Sequence, residues 1–92
     1  MVEARTYRVE LTNRAAKELE RLPKPIQKRI ARWLDVLAAD PCCEGSKQLE
    51  GKGHLRRVHA GKDYVIVYTV LDDVVVVLVV RVAHRREAYR TL

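Results

Sequence analysis

The sequence lacks any apolar stretch long enough to cross a membrane. Its run of valines near the C-terminus is broken by Arg81, well short of the ~20 residues that a spanning helix needs. No apolar leader follows the first methionine. The only two cysteines, Cys42 and Cys43, are neighbours in the chain, and neighbouring cysteines cannot normally form an unstrained disulfide. We therefore expect a cytoplasmic protein with reduced thiols.

Motifs that would bind a cofactor or a metal ion are also absent from the sequence. The four glycines are scattered singly, so they do not form the glycine-rich loop that cradles phosphate. The two cysteines and three histidines lack the paired spacing that is typical of zinc sites. Asp72 and Asp73 are better explained as turn residues than as the metal-binding acids of a nuclease. We expect no cofactor and no metal ion.

What the sequence has in excess is positive charge. Its 18 lysines and arginines outnumber its 12 aspartates and glutamates, which gives a net charge of +6 and an isoelectric point near 9.7. Such a balance is typical of proteins that bind a polyanion such as nucleic acid. A basic surface that serves only solubility would give the same numbers, and charge alone does not separate the two interpretations.

The first half of the chain predicts a strand followed by two helices. Apolar and polar side chains alternate over residues 6–11, which is typical of a half-buried strand. Thr12 or Asn13 can cap a helix that ends near Leu22, and Pro25 suits the first turn of a second helix. Apolar residues form one stripe along this second helix: Ile26, Ile30, Trp33, Leu34 and Leu37. We expect this stripe, including the tryptophan, to lie in the core.

The second half of the chain predicts three strands. Residues 41–53 are small, polar or glycine, which indicates a loop, whereas residues 55–60, 64–71 and 74–83 favour strands. Short turns between these strands predict an antiparallel meander, and the valine-rich last strand should be buried on both faces in the middle of the sheet. All 92 residues fit one domain. The predicted fold is α+β, with both helices packed on one face of the sheet.

Several positive side chains are predicted to meet on the sheet face that the helices leave open. Arg57 and His59 lie on the same face of one predicted strand. Arg85 follows another strand, and Lys47 or Lys52 comes from the loop. Clustered guanidinium groups bind phosphate through paired hydrogen bonds. The alternative is a solvated charged face with no ligand, and the spacing of the residues does not decide between the two.

His59 and Tyr89 add chemistry to this cluster. His59 is the only group expected on that face whose ordinary pKa lies near neutrality, which favours general acid–base catalysis. Neighbouring arginines should lower its pKa and keep the neutral form populated. Tyr89 could stack on an unpaired base. The alternatives are a surface histidine on an edge strand and a tyrosine packed against the edge of the sheet.

The ordered set of motifs along the chain resembles the RelE toxins. The matching residues span nearly the whole sequence: Tyr7, Ala16, Leu19, Leu22, Pro23, Pro41, Gly51, Arg57, Gly61, Asp63, Tyr64, Tyr68, His84, Arg85 and Tyr89. The resemblance implies a microbial-ribonuclease-like fold and the toxin of a type II toxin–antitoxin system, an endoribonuclease that cleaves mRNA in the ribosomal A site and inhibits translation. It also implies a RelB-like antitoxin as partner, and contact with DNA only through the antitoxin complex.

The same resemblance implies a reaction without metal, in which the ribose 2′-OH attacks the adjacent phosphate and leaves a cyclic phosphate and a free 5′-OH. Arg57 matches a basic residue that steadies the phosphate, and His59 falls where a general base has been placed. Arg85 matches the cation that stabilises or protonates the leaving oxygen. Tyr89 matches the aromatic residue that orients the base. These four are the predicted catalytic residues.

Further positive residues are predicted to contact RNA: Lys47, Lys52, Arg56, Lys62, Arg81, His84 and Arg86. One position departs from the family pattern, in which an arginine that contacts the scissile phosphate follows the tyrosine matching Tyr64. This chain has Val65 instead. Loss of such a contact lowers the rate by roughly 10² to 10³, judged by oxyanion-hole donors. Either Arg56, Arg81 or Lys62 substitutes, or the enzyme is weak.

Two other functions stay open from the sequence. Residues 64–68 are also similar to the ParE branch of the same superfamily, whose members poison DNA gyrase and do not cut RNA. The third interpretation is a catalytically inactive module that only binds its antitoxin.

Overall fold

The computed structural model describes residues 6–90. Helices and strands follow one another in the order β1 (Arg8–Leu11), α1 (Asn13–Glu20), α2 (Lys24–Ala39), β2 (Lys47–Gln48), β3 (Leu55–His59), β4 (Tyr64–Leu71) and β5 (Val76–His84). Over residues 6–90, neither helix combines the length and the apolar character that crossing a membrane requires.

The five strands form one mixed sheet in the order β1-β5-β4-β3-β2. β5 pairs in parallel with β1 and antiparallel with β4, and β3 is antiparallel to both β4 and β2. The valine-rich β5 is therefore paired on both sides, as expected of a strand buried on both faces. The predicted α+β fold, with its antiparallel meander and its helices against the sheet, is confirmed.

The helices begin where the local chemistry favours them. The Thr12 hydroxyl accepts a hydrogen bond from the Ala15 N–H at 3.1 Å and caps α1. Pro25 lies in the first turn of α2, where its missing N–H would have no helical partner. The Gln27 side-chain amide donates to the Leu22 carbonyl at 2.9 Å, which fixes the short connection between the helices.

The sheet carries an apolar core on each of its faces. On the helix side, buried residues of both helices pack against the sheet, and Trp33 adds to this core as predicted. The fully buried members of this core include Ala15, Ile30, Leu37, Val58, Ile66, Tyr68, Val77, Val79 and Val82. A smaller core on the other face contains Val65, Val67, Ala83 and Ala88. This second face was expected to be open, but the burial of Ala88 shows that residues following β5 fold back over it.

Two segments differ from the prediction. β2 lies inside the predicted loop of residues 41–53, and because both of its residues are polar and exposed, no alternation of side chains indicates a strand there. β5 begins at Val76 rather than at Val74, because Val74 and Val75 belong to the preceding turn. Val75 has a φ of 54°, a left-handed conformation that β-branched residues rarely adopt.

A β-bulge in β5 decides which side chains face the second core. Val67 lies opposite Arg81 whereas Tyr68 lies opposite Val79, so Val80 is an extra residue in β5. The alternation of β5 shifts at this point, because Val79 packs with the helices before the bulge and the next helix-facing residue is Val82. The bulge thereby turns Ala83 toward the second face and sets the direction in which the chain leaves the strand.

Candidate functional site

The last described residues, 85–90, form a segment that we call the C-terminal tail. The Arg85 N–H donates to the Asp63 carbonyl at 2.7 Å, in the turn between β3 and β4. The N–H groups of Glu87 and Ala88 donate to the His84 carbonyl at 2.8 and 3.0 Å. Ala88 is fully buried in the second core. These contacts carry the tail from the end of β5 across the sheet.

A groove of about 370 Å³ lies between the tail and the β2 edge of the sheet. We call it the basic groove, and it is lined by Lys47, Gln48, Leu49, Glu50, Lys52, Arg57 and Tyr89. Lys47 is the direct cross-strand partner of Arg57. Tyr89 is 42% exposed, so its ring is accessible to a ligand in the groove. Two predicted catalytic residues, Arg57 and Tyr89, and two predicted RNA contacts, Lys47 and Lys52, therefore line one surface.

His59 lies beside this groove at the end of β3, where its side chain is exposed. Partial burial lowers the pKa of His59 below its ordinary value, and the positive charges of Arg57 and then Arg85 lower the pKa further. The neutral imidazole is therefore favoured near pH 7. Arg57 and His59 lie two residues apart on one face of β3, and Arg85 is bonded through its N–H to Asp63 in the turn that follows β3, so the structure places the three residues in one region of the sheet.

His84 lies at the end of β5 and outside the basic groove. Its ring meets the Tyr64 ring edge-on, with centroids 5.7 Å apart and an interplanar angle of 72°. Its Nδ1 accepts the Arg86 N–H at 3.2 Å, and it lines a separate cavity with Glu18 and Arg21. The structure shows a local packing role for His84. That His84 and the exposed Arg86 contact RNA stays a prediction.

Arg81 does not reach the surface, which corrects the prediction that it contacts RNA. The residue is only 5% exposed, and its guanidinium donates to Glu18 and to the carbonyls of Glu87 and Arg90. These bonds and the burial of the side chain keep the guanidinium of Arg81 away from a phosphate in the basic groove. The sequence could not reveal this, because the ion pair joins residues far apart in the chain.

Arg56 lies on the opposite face of β3 from Arg57, as the alternation along the strand predicts, and that Arg56 contacts RNA stays a prediction. Its Nη2 donates to the Ser46 hydroxyl at 2.9 Å, and its Nε is buried without a hydrogen-bond partner. It lines another cavity that includes Tyr7 and Asp40. Alternation along β3 already separates Arg56 from Arg57.

Val65 occupies the floor of the site. It is fully buried in the second core, and it lies in register between His59 on β3 and Ala83 on β5. The cation that the family pattern has here is therefore absent from a position adjacent to the candidate base. Of the three proposed substitutes, only Lys62, which is exposed in the turn between β3 and β4, remains available.

Arg29 is a cation near the site that the sequence analysis missed. Its guanidinium rests against Gly61 in the turn after β3, where an added Cβ would lie 2.8 Å from Arg29 Nη1. Gly61 also has a φ of +87°, so both its backbone conformation and its missing side chain matter. No local pattern could reveal this contact, because it joins α2 to a distant turn.

The cysteines are both free thiols, with Cys42 exposed and Cys43 buried. Burial raises the pKa of Cys43, and the charge of Asp40 raises it further, so its thiolate is disfavoured. Over residues 6–90, no group of three or more histidine, cysteine, aspartate or glutamate side chains is arranged to hold a metal ion.

Comparison with protein families gives one match that covers most of the chain. The family described as "ParE toxin of type II toxin-antitoxin system, parDE" matches residues 9–89. No curated protein matches the sequence significantly.

Solved toxin structures share this fold. A chain of the archaeal RelE–RelB complex from Pyrococcus horikoshii OT3 is 31% identical, with a TM-score of 0.76 over 90% of this chain and 99% of that one. The isolated E. coli RelE toxin is 29% identical, with a TM-score of 0.75 over 90% of each chain. The YoeB/ParE toxin from Agrobacterium tumefaciens has a TM-score of 0.76 over 85% of this chain and 98% of that one, but at 14% identity it shows the fold alone.

Proposed function

This chain belongs to the RelE/ParE superfamily as a toxin of a type II toxin–antitoxin system, and from this premise we propose that it is a ribosome-dependent endoribonuclease. It would cleave mRNA in the ribosomal A site and thereby inhibit translation in the cytoplasm. The observation that carries the proposal is the convergence of Arg57, His59 and Arg85 beside a groove that contains an accessible tyrosine. These are the groups that a metal-independent cleavage of RNA needs.

In the proposed reaction, neutral His59 takes the proton from the ribose 2′-OH. The 2′ oxygen then bonds to the adjacent phosphorus, and the bond from phosphorus to the 5′ oxygen breaks. The products are a 2′,3′-cyclic phosphate and a 5′ oxygen that takes up a proton from water, and protonated His59 returns its proton to the solvent. The guanidinium groups of Arg57 and Arg85 would stabilise the extra negative charge of the phosphorane.

Tyr89 would orient the substrate for this reaction. Its exposed ring in the basic groove offers a stacking surface for one base, while Lys47 and Lys52 offer positive charge to the RNA backbone. Stacking holds the nucleotide without reading its sequence strongly, because every base has an aromatic face. Lys62 and Arg86 are exposed and could add backbone contacts.

Two observations favour a second function. The matching family description is that of ParE toxins, and Val65 removes a cation from the floor of the site. The loss of a charge-assisted contact lowers a rate by roughly 10² to 10³. A chain with these features could instead inhibit DNA gyrase by binding, with no need for catalysis, or act only by binding its antitoxin.

The proposed partner is a RelB-like antitoxin. The solved relatives include RelE chains in complex with RelB, among them the Pyrococcus horikoshii complex. An antitoxin segment that covers the basic groove, or the outer surface of α1 and α2, would keep the toxin from entering the ribosome. Any contact with DNA would then run through the antitoxin complex.

The proposal is tested by inducing the chain in growing cells, mapping mRNA 5′ ends on translating ribosomes, and assaying gyrase supercoiling in parallel. The ribonuclease predicts cuts in phase with codons that disappear with Arg85→Ala and persist with Arg8→Gln, which changes an exposed arginine on the far edge strand. Inhibited supercoiling without cuts would establish the gyrase inhibitor. If the chain neither cuts mRNA nor inhibits supercoiling, the remaining interpretation is a module that only binds its antitoxin.

A further inference from the structure

A largely buried ion pair, Arg81 with Glu18, joins β5, α1 and the C-terminal tail. Arg81 donates from Nε and Nη2 to Glu18 Oε2 at 3.1 and 2.6 Å. Glu18 Oε1 accepts the Val82 N–H at 3.0 Å. The remaining guanidinium nitrogen, Nη1, donates to the carbonyl oxygens of Glu87 and Arg90, both at 2.8 Å. Every nitrogen of the guanidinium and both oxygens of the carboxylate are therefore engaged.

The pairing of the strands does not by itself call for an arginine at position 81. Burying two charges costs desolvation energy that offsets their attraction, and apolar replacements of buried pairs are often neutral or stabilising. Arg81 stands between Val80 and Val82 in a valine-rich strand, where another β-branched residue would suit the sheet. An apolar side chain could not, however, donate hydrogen bonds to two carbonyls of the tail. The planar guanidinium can serve a carboxylate and these carbonyls at once.

The two bonded carbonyls bracket the part of the tail that carries the aromatic ring. Glu87 precedes Tyr89 by two positions and Arg90 follows it directly, so Arg81 fixes the backbone on both sides of the tyrosine. Ala88, which is fully buried, holds the same segment against the second core.

We propose that Arg81, oriented by Glu18, is a positioning residue that fixes the C-terminal tail and so places Tyr89 in the basic groove. The consequence for RNA cleavage rests on the proposed function, whereas the anchoring of the tail does not. Arg81 touches neither substrate nor reacting atoms in this account. It acts through Tyr89 and through Arg85 at the start of the tail.

The test uses the double variant Arg81→Met/Glu18→Gln. Both charges are removed together, so no unpaired charge is left buried, and the new amide keeps an acceptor for the Val82 N–H. The matched control makes the same two changes, Arg8→Met/Glu10→Gln, in an exposed ion pair on β1, where Nε and Oε2 are 2.7 Å apart. Circular dichroism and thermal melting establish that both variants are folded.

The first readout is amide hydrogen exchange, followed residue by residue by NMR. The double variant should accelerate exchange at Ala88 and Arg90 by about tenfold or more, while amides of β4 keep their protection. The second readout separates kcat from KM for cleavage on programmed ribosomes. We expect kcat to fall by about 10²-fold, the cost of a misplacement near 1 Å, with KM changed less than about twofold. The control should change none of these values.

Unchanged exchange at Ala88 and Arg90 would overturn the proposal, and so would accelerated exchange with undiminished kcat. If the wild-type protein cuts no RNA, the proposed function fails, but the anchoring of the tail still stands or falls on the exchange data. Should the double variant not fold, Arg81→Lys replaces it. Its ammonium can pair with Glu18 but lacks the planar fork, so exchange in the tail should still accelerate, and protection equal to wild type would refute the inference.

Discussion

At the scale of single residues, the protonation state of His59 is central to the proposed chemistry. Burial and the charges of Arg57 and Arg85 hold its pKa below 6.5. Because a general base must be neutral, activity should persist as the pH falls below 6.5 and be lost only as the pH passes through the lowered pKa of His59. In the same acidic range the folded state binds fewer protons than the unfolded state, so its stability decreases as the pH falls.

Replacing Arg57 by glutamine should raise the pKa of His59, because a positive charge that opposes protonation of the ring is removed. Arg85→Gln should raise the pKa by a smaller amount, since Arg57 is the stronger of the two charges acting on the ring. NMR titration of the imidazole protons measures both changes. Arg86→Gln is the control and should leave the pKa of His59 where it is. A pKa that does not rise in Arg57→Gln would contradict the electrostatic description of the site.

Tyr89 offers a second residue-scale prediction. Because the proposed role is stacking, Tyr89→Phe should retain cleavage within a few fold, whereas Tyr89→Ala should lower kcat/KM by about 10- to 100-fold, as expected for 1–3 kcal/mol of base stacking. The side chain is 42% exposed, so neither change should affect the thermal stability much. Equal losses in both variants would show that the hydroxyl, rather than the ring, matters.

At the scale of elements, the turn between β3 and β4 combines a left-handed glycine with a contact from α2. Gly61→Ala should lower the free energy of unfolding by about 1 kcal/mol more than Gly45→Ala does. This value is at the low end for an overpacked contact, because the flexible side chain of Arg29 can move and relieve part of it. Both glycines have a positive φ, +87° and +92°, but only at Gly61 would the new methyl group meet Arg29. Urea denaturation measures the difference, which should vanish in an Arg29→Ala background. An unchanged difference there would exclude Arg29 as its cause.

Some of these elements could be predicted from the sequence, and others could not. Alternation in β3 correctly separated Arg57 and His59 from Arg56, and the proline at the start of α2 correctly located that helix. The two-residue strand β2 could not be predicted, because its polar residues pair only through the backbone. Nor could the burial of Arg81, which depends on a bulge in β5 and on a carboxylate from α1.

At the scale of the whole molecule, the net charge of +6 should make RNA binding strongly dependent on salt. Each lysine that neutralises a phosphate of a single strand contributes about 0.7 to the slope of log K against log salt. Lys47→Gln should therefore reduce this slope by about 0.7 when a short single-stranded RNA is titrated. Lys24→Gln, on α2 and away from the basic groove, should leave the slope unchanged. A slope that responds equally to both changes would mean that RNA binds without preference for the groove.

The whole protein acts, in this account, only when a ribosome presents mRNA to the site formed by the tail and β3. The most direct measurement adds the purified wild-type chain to ribosomes that are stalled on a defined mRNA with an empty A site, and analyses the ends of the RNA fragments. We predict a cut within the A-site codon that leaves a 2′,3′-cyclic phosphate and a 5′-OH, and that is abolished by Arg57→Gln. Intact mRNA, together with inhibition of gyrase by the same preparation, would contradict the account.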